Sequence, residues 1–146
     1  MRLTDRTDYA FRVLIYLAVS GGRLATAREI AEHYDISRNH VARVAWDLGR
    51  AGIVETVRGR RGGLRLARPA ETITVGAVAR CTERMVPLAE CFPGGAGDCR
   101  IAPACRYRTM LAEAQDAFFA VLNRYSVHDL VNGNPGLREL ISADPP

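Results

Sequence analysis

Thr26-Ala-Arg-Glu-Ile-Ala-Glu-His-Tyr-Asp-Ile-Ser-Arg-Asn-His-Val41 reads as two short helices joined by a tight turn. Thr26 and Glu29 match a capping box, in which each side chain satisfies a free backbone N–H at the other end of the motif. Ala27, Ile30, Ala31 and Tyr34 give the first helix an inward side. Asp35-Ile36 forms the turn, and Ser37 caps a helix running to about Gly49, with Val41, Val44, Ala45 and Leu48 facing in. Two helices so joined form a helix-turn-helix. The start of the second carries Ser37, Arg38, Asn39, His40 and Arg43, side chains able to reach base edges and phosphates in a major groove.

Downstream, Gly52 to Val57, Arg58-Gly-Arg-Arg-Gly-Gly63 and Leu64 to Leu66 read as strand, turn and strand. A hairpin directly after a helix-turn-helix is a wing. Its tip bears Arg58, Arg60 and Arg61, with Arg65 just after, and Arg enters a narrow minor groove well. Upstream, apolar residues Ala10, Phe11, Val13, Leu14, Leu17 and Ala18 predict one helix from Thr4 to Ser20, capped by Thr4 or Thr7 and ended by Gly21-Gly22. Asp8 lies near the start of that helix, where an acid suits the positive end of the dipole.

Pro69 closes the wing, and a helix is expected from Val75 to about Thr82, with Cys81 packed or half-exposed near its end. Beyond Pro87, three cysteines, Cys91, Cys99 and Cys105, fall within fifteen residues, separated by seven and five. Gly94, Gly95 and Gly97 let the intervening backbone fold tightly. A loop gathering three soft sulfur ligands suits an iron–sulfur cluster or zinc. Structural zinc sites usually use Cys-x-x-Cys pairs, absent here, and the wider spacing favours the larger object. A thiol redox switch stays open as a third reading. A 4Fe–4S cluster needs a fourth ligand that this loop does not supply.

After Cys105 a long helix is expected to about Arg124. Met110, Leu111, Ala114, Ala117, Phe118, Val121, Leu122 and Tyr125 make its apolar stripe, with Phe119 as a second apolar position. Part of that face should cover the winged helix and the rest should pair with another copy. Val127 to Val131 adds a short helical turn, and residues 132–146 read as a loosely ordered tail. The expected fold is therefore mainly α with a small β-hairpin: a winged helix-turn-helix plus a long C-terminal dimerisation helix. The expected divisions are a DNA-binding domain over 1–86, a cysteine-rich cluster-binding loop over 87–106, the dimerisation helix over 107–131 and the tail.

The charge distribution agrees. All twenty basic side chains are Arg, and between Arg38 and Arg68 eight of them face only Asp47 and Glu55. That stretch holds a local charge of +6 in a chain whose net charge is +4, the footprint expected for phosphate binding. No apolar run approaches the roughly eighteen residues of a membrane span. The first residues lack an apolar signal core, so the expected location is cytoplasmic. In that reducing compartment, cysteines are ligands, sensors or core residues before they are disulfides. No Walker loop, nucleophile elbow or His-Glu-x-x-His is present, and an enzyme is not expected. The competing classes are a zinc-stabilised or thiol-redox regulator without a cluster, and a winged helix that binds protein instead of DNA.

Several stretches together resemble the Rrf2 family of winged-helix iron–sulfur regulators. They are Met-Arg-Leu-Thr-Asp-Arg-Thr-Asp-Tyr-Ala at the start, Tyr-Asp-Ile-Ser-Arg-Asn-His-Val at the turn, and Val-Arg-Gly-Arg-Arg-Gly-Gly-Leu-Arg-Leu in the wing. Ala-Glu-Cys-Phe, Ile-Ala-Pro-Ala-Cys-Arg and Ala-Phe-Phe-Ala-Val-Leu-Asn-Arg-Tyr-Ser-Val-His-Asp-Leu complete them. The resemblance runs from Met1 to about Val131. It implies a homodimeric repressor on a palindromic operator, with a 4Fe–4S cluster held by Cys91, Cys99 and Cys105. In the nitric-oxide-sensing branch, which Ser-Arg-Asn-His and Ile-Ala-Pro-Ala-Cys-Arg favour, Asp8 of the other subunit would be the fourth ligand. Nitric oxide would dismantle the cluster and release the operator. An iron-responsive branch shares the cysteine spacing and is the alternative. Arg108 stands where a further branch places a ligand His, which argues against that branch.

Overall fold

The computed structural model describes residues 3–83 and 87–142. Met1, the expected domain boundary at 86 and the prolines at 145 and 146 lie outside the described residues. Seven α-helices occur among those described: α1 (Asp5–Val19), α2 (Ala27–His33), α3 (Arg38–Arg50), α4 (Val75–Thr82), α5 (Arg106–Leu122), α6 (Val127–Val131) and α7 (Pro135–Ser142). Strands β1 (Val54–Val57) and β2 (Gly63–Leu66) pair antiparallel, with Val54 opposite Leu66 and Val57 opposite Gly63.

The core is built where the apolar periodicities converge. Val13, Leu14 and Leu17 of α1 meet Ile30 of α2, Val41, Val44 and Leu48 of α3, and Val78 of α4, all buried. The capping box at Thr26 and Glu29 forms as read, and the Ser37 hydroxyl accepts the Asn39 N–H at the start of α3. Between these helices Asp35 takes a left-handed conformation, φ +50°, which Asp tolerates better than most side chains. The wing is stitched to the body by two backbone bonds between Ala25 and Leu64.

Three expectations need correction. Neither Thr4 nor Thr7 caps α1 with its side chain. The Glu83 carboxylate, just past α4, accepts the Thr4 N–H at 2.8 Å and the Thr4 and Thr7 hydroxyls, so a residue 79 positions away closes the helix start. On α5 the apolar stripe does not cover the winged helix. Phe119, read as secondary, is the buried anchor, while Met110 and Val121, and Tyr125 just past the helix end, stay exposed. The reason is the small face offered by α4. The Arg80 guanidinium lies 3.9 Å from the Phe119 centroid, and Gly76 leaves room for Asn123 where any Cβ would collide with its side chain. The expected loose tail is also partly helical: α7 buries Ile141 and packs Leu137 against the core beside α1.

Candidate nucleic-acid interface and cysteine loop

The inward residues of α3 leave Asn39, Arg43, Trp46 and Arg50 on its outer face, at spacings of three and four. Ser37, Arg38, Asn39, His40 and Arg43 are all exposed. Trp46 and Arg50 were not singled out from sequence. Trp46 is 60% exposed and carries the Arg50 guanidinium 4.8 Å from its ring. The helical spacing from Arg43 was the signal that could have found them. An exposed Trp and an Arg three turns from the helix start extend the same basic surface.

The hairpin tip presents Arg58, Arg60 and Arg61 to solvent, and none of them makes an ion pair among the described residues. Their turn depends on glycine. Gly59 has φ +115°, and a Cβ on Gly62 would strike the Val57 carbonyl oxygen. Arg65 differs from the tip arginines, because it faces Glu55 across the strands and bonds its carboxylate at 2.8 Å. That bond holds the Glu55 carboxyl below its ordinary pKa. Between residues 38 and 68, the positive charge free to meet phosphate therefore lies mainly at the turn and on the exposed face of α3.

α3 is fixed to α1 from behind. Asp47, 8% exposed, pairs with Arg6, whose Nε has no hydrogen-bond partner among the described residues. A buried ion pair of this kind positions more than it stabilises.

The cysteine loop follows α4. Cys81, Cys91, Cys99 and Cys105 are free thiols, each half-buried. Cys81 donates to the Val78 carbonyl within its own helix, and burial, then the nearby Asp47 charge, push its thiol pKa up. It stands apart as a packed residue. Around Cys91 the chain folds on itself: Gly95 and Gly97 N–H groups bond the Phe92 and Glu90 carbonyls at 2.9 and 3.1 Å. Gly95 lies so close to the Glu90 backbone that a Cβ would collide. A 3-10 turn over Ala102–Ala104 then places Cys105 at the N-cap of α5, beside a cleft of about 590 Å³ that Phe92, Pro103 and Arg106 also line.

Three thiols in a tightly turned loop suit a soft metal in chemistry. Yet no three Cys, His, Asp or Glu side chains are gathered around one point among the described residues. The single chain supplies donors in one loop, not a finished cage. Asp8 is 56% exposed at its side chain and pairs with Arg12 of its own helix at 2.8 Å. It does not approach the cysteines as a cluster-forming group within this chain.

Comparison with known proteins agrees with this architecture. Residues 3–133 match the Rrf2 family model, described as an iron-dependent transcriptional regulator. The chain is 44% identical to the HTH-type transcriptional regulator NsrR of Bacillus subtilis (strain 168) over 142 residues, covering 97% of each protein. It is 43% identical to protein aau3 of Rhizobium meliloti (strain 1021), covering 100% of this chain and 95% of that one. Its fold resembles that of CymR, the global cysteine regulator of B. subtilis, with a TM-score of 0.69 and 24% identity over 90% of this chain and 96% of that one.

Proposed function

The chain belongs to the Rrf2 family of transcriptional regulators, and from that premise we propose that it is a homodimeric, DNA-binding repressor of the NsrR type that senses nitric oxide. The observation that carries the DNA-binding part is the unpaired positive charge on α3 and on the wing that follows it, where Arg38, Arg43, Arg58, Arg60 and Arg61 are exposed and make no ion pair among the described residues. The start of α3, with Ser37, Arg38, Asn39, His40 and Arg43, enters the major groove. Arg58, Arg60 and Arg61 of the wing hold phosphates and the minor groove. Two copies paired along α5 present two such surfaces, which match a palindromic operator.

For the sensing part, Cys91, Cys99 and Cys105 would hold a 4Fe–4S cluster, with Asp8 of the other subunit as the fourth ligand. The three thiols of the loop support the cysteine part of this assignment, and the family resemblance supports Asp8. Bound there, the cluster supplies iron centres open to attack by nitric oxide. The chain's own residues make the link to DNA. Asp8 lies on α1, and α1 is tied to α3 through Arg6 and Asp47 and to the end of α4 through Glu83. A ligand set that reaches from the loop to α1 thus acts on the elements that place the reading helix.

The family description, iron-dependent, favours a second reading in which iron supply is the signal. One experiment addresses both. Native mass spectrometry of the anaerobically purified protein is run with stepwise nitric oxide, alongside operator binding at each step. A dimer that carries four irons and four sulfides per subunit, and loses its operator as nitric oxide is added, is the expected result. Operator release on iron chelation but not with nitric oxide would select the iron reading. One zinc per subunit, or no metal, would remove the cluster and leave a DNA-binding regulator.

A further inference from the structure

Where α3 begins, the His40 ring stacks on Tyr9 of α1, with centroids 5.2 Å apart and planes inclined by 20°. Tyr9 is itself anchored. It packs partly against the core, and the Arg12 guanidinium lies 5.8 Å from its centroid and 5.9 Å from that of Tyr34. Tyr9 and His40 also line a cleft with Arg6, Arg43 and Val44. By contrast, the side chains of Arg38, Asn39 and Arg43 have no ring, ion-pair or hydrogen-bond partner among the described residues. Among the described residues, His40 is the one candidate base reader that another element holds.

The manner of holding matters. Stacking uses the face of the imidazole and leaves its edge free, and neither ring nitrogen has a hydrogen-bond partner among the described residues that would occupy it. Those nitrogens are the groups that a base edge could meet. A side chain fixed before contact discriminates between bases better than one that can rotate to suit several, because a wrong base then leaves its polar edge unpaired. Resting on the DNA-binding function proposed above, we infer that Tyr9 is a positioning residue for operator specificity: it holds the His40 ring in one orientation, so that His40 reads one base pair in each half-site.

The test uses the full-chain protein, purified anaerobically, and a pool of randomised duplexes from which preferred sites are selected. His40→Ala identifies the base pair at which preference collapses. Tyr9→Leu should lose preference at that same base pair, by about tenfold, the usual scale of one mismatched position. Affinity for random duplex and the salt slope should be unchanged. Tyr9→Phe, which keeps the ring, should keep the preference, and the Tyr9→Leu, His40→Ala pair should lose no more than His40→Ala alone. A loss spread evenly over all positions, or full preference in Tyr9→Leu, would overturn the inference. So would unchanged preference in His40→Ala, which would leave DNA binding intact but remove His40 as a reader. A wild type that shifts no duplex would overturn the DNA-binding function along with it.

A measurement on the unsubstituted protein guards against a Tyr9→Leu variant that does not fold. The chain has only three histidines, so the His40 ring protons are assignable by NMR. They should show an upfield ring-current displacement in the wild type and in Tyr9→Phe. Ring protons at random-coil positions would overturn the stack and the inference with it.

Discussion

Single residues in this protein carry very different kinds of requirement. Gly62 is a backbone requirement: a Cβ would meet the Val57 carbonyl and the Arg58 backbone inside the wing turn. Gly62→Ala should therefore cost roughly 1–3 kcal/mol of stability by overpacking, and it should weaken DNA binding by moving the tip, both visible in melting and titration of one sample. Arg60 is a charge requirement, free at the tip with no ion pair among the described residues. Arg60→Ala should leave melting unchanged, weaken binding to all duplexes alike, and lower the salt slope by about 1; an unchanged slope would place the wing off the phosphates. Cys81 and the loop cysteines share a side chain and differ in setting, since Cys81 lies on α4. With the cluster proposed for the loop, Cys81→Ser should retain the iron content of the wild type, because its side chain sits on α4 and packs against the core, while serine at Cys91, Cys99 or Cys105 should lose it. Iron and sulfide assays on the four variants decide this.

Among the elements, the junction of α1 with α4 shows how a distant acid replaces a local cap. Burial alone would raise the Glu83 pKa, but the hydrogen bonds from Thr7 and Thr4 outweigh it and hold the carboxyl below the ordinary 4.5. A carboxyl depressed in the folded state stabilises the fold above the unfolded value, and that stability is lost as pH falls through the lower, folded value. Melting temperature should then drop below about pH 4.5, more steeply in the wild type than in Glu83→Gln, which cannot titrate. Equal acid slopes would mean that Glu83 does not close α1. On α5, Phe119 is 6% exposed and Met110 is 63% exposed. Truncating Phe119 to Ala should cost about 3 kcal/mol or more by leaving a cavity against α4. The same change at Met110 should leave the melting of an isolated subunit near that of the wild type, as read by denaturant titration at low protein concentration.

For the molecule as a whole, the exposed apolar side of α5 is the feature that a single chain leaves unfinished. Tyr107, Met110 and Val121 of α5, and Tyr125 just past its end, are each about half or more exposed, and apolar surface of that kind is typical of interfaces between chains. Pairing along it is the proposed route to a homodimer, and it also sets the distance between two reading helices. A Val121→Glu variant should be monomeric by light scattering while keeping its helical content, and should bind a single half-site far better than it binds the palindrome cooperatively. A dimer that survives this substitution would move the interface elsewhere.

Much of the fold was legible before any tertiary contact was considered, because local physics specified it. The capping box at Thr26 and Glu29, the Ser37 cap, the glycine-rich wing turn and the bounds of α4 are encoded within a few residues of themselves. The candidate DNA-reading side chains followed from the same local signals, since the face opposite Val41, Val44 and Leu48 has to be outward. What only the tertiary structure decided were pairings between residues far apart in sequence. These include Glu83 closing α1, Arg6 meeting Asp47, Tyr9 stacking on His40, and Phe119 rather than the apolar stripe seating α5. Helix 7 belongs with them: Leu137 and Ile141 are too few to announce a helix, and they become one because the core beside α1 offers them a place. Periodicity states which face of an element is apolar. Only packing states what that face meets, and for α5 the answer within one chain is solvent along most of its length.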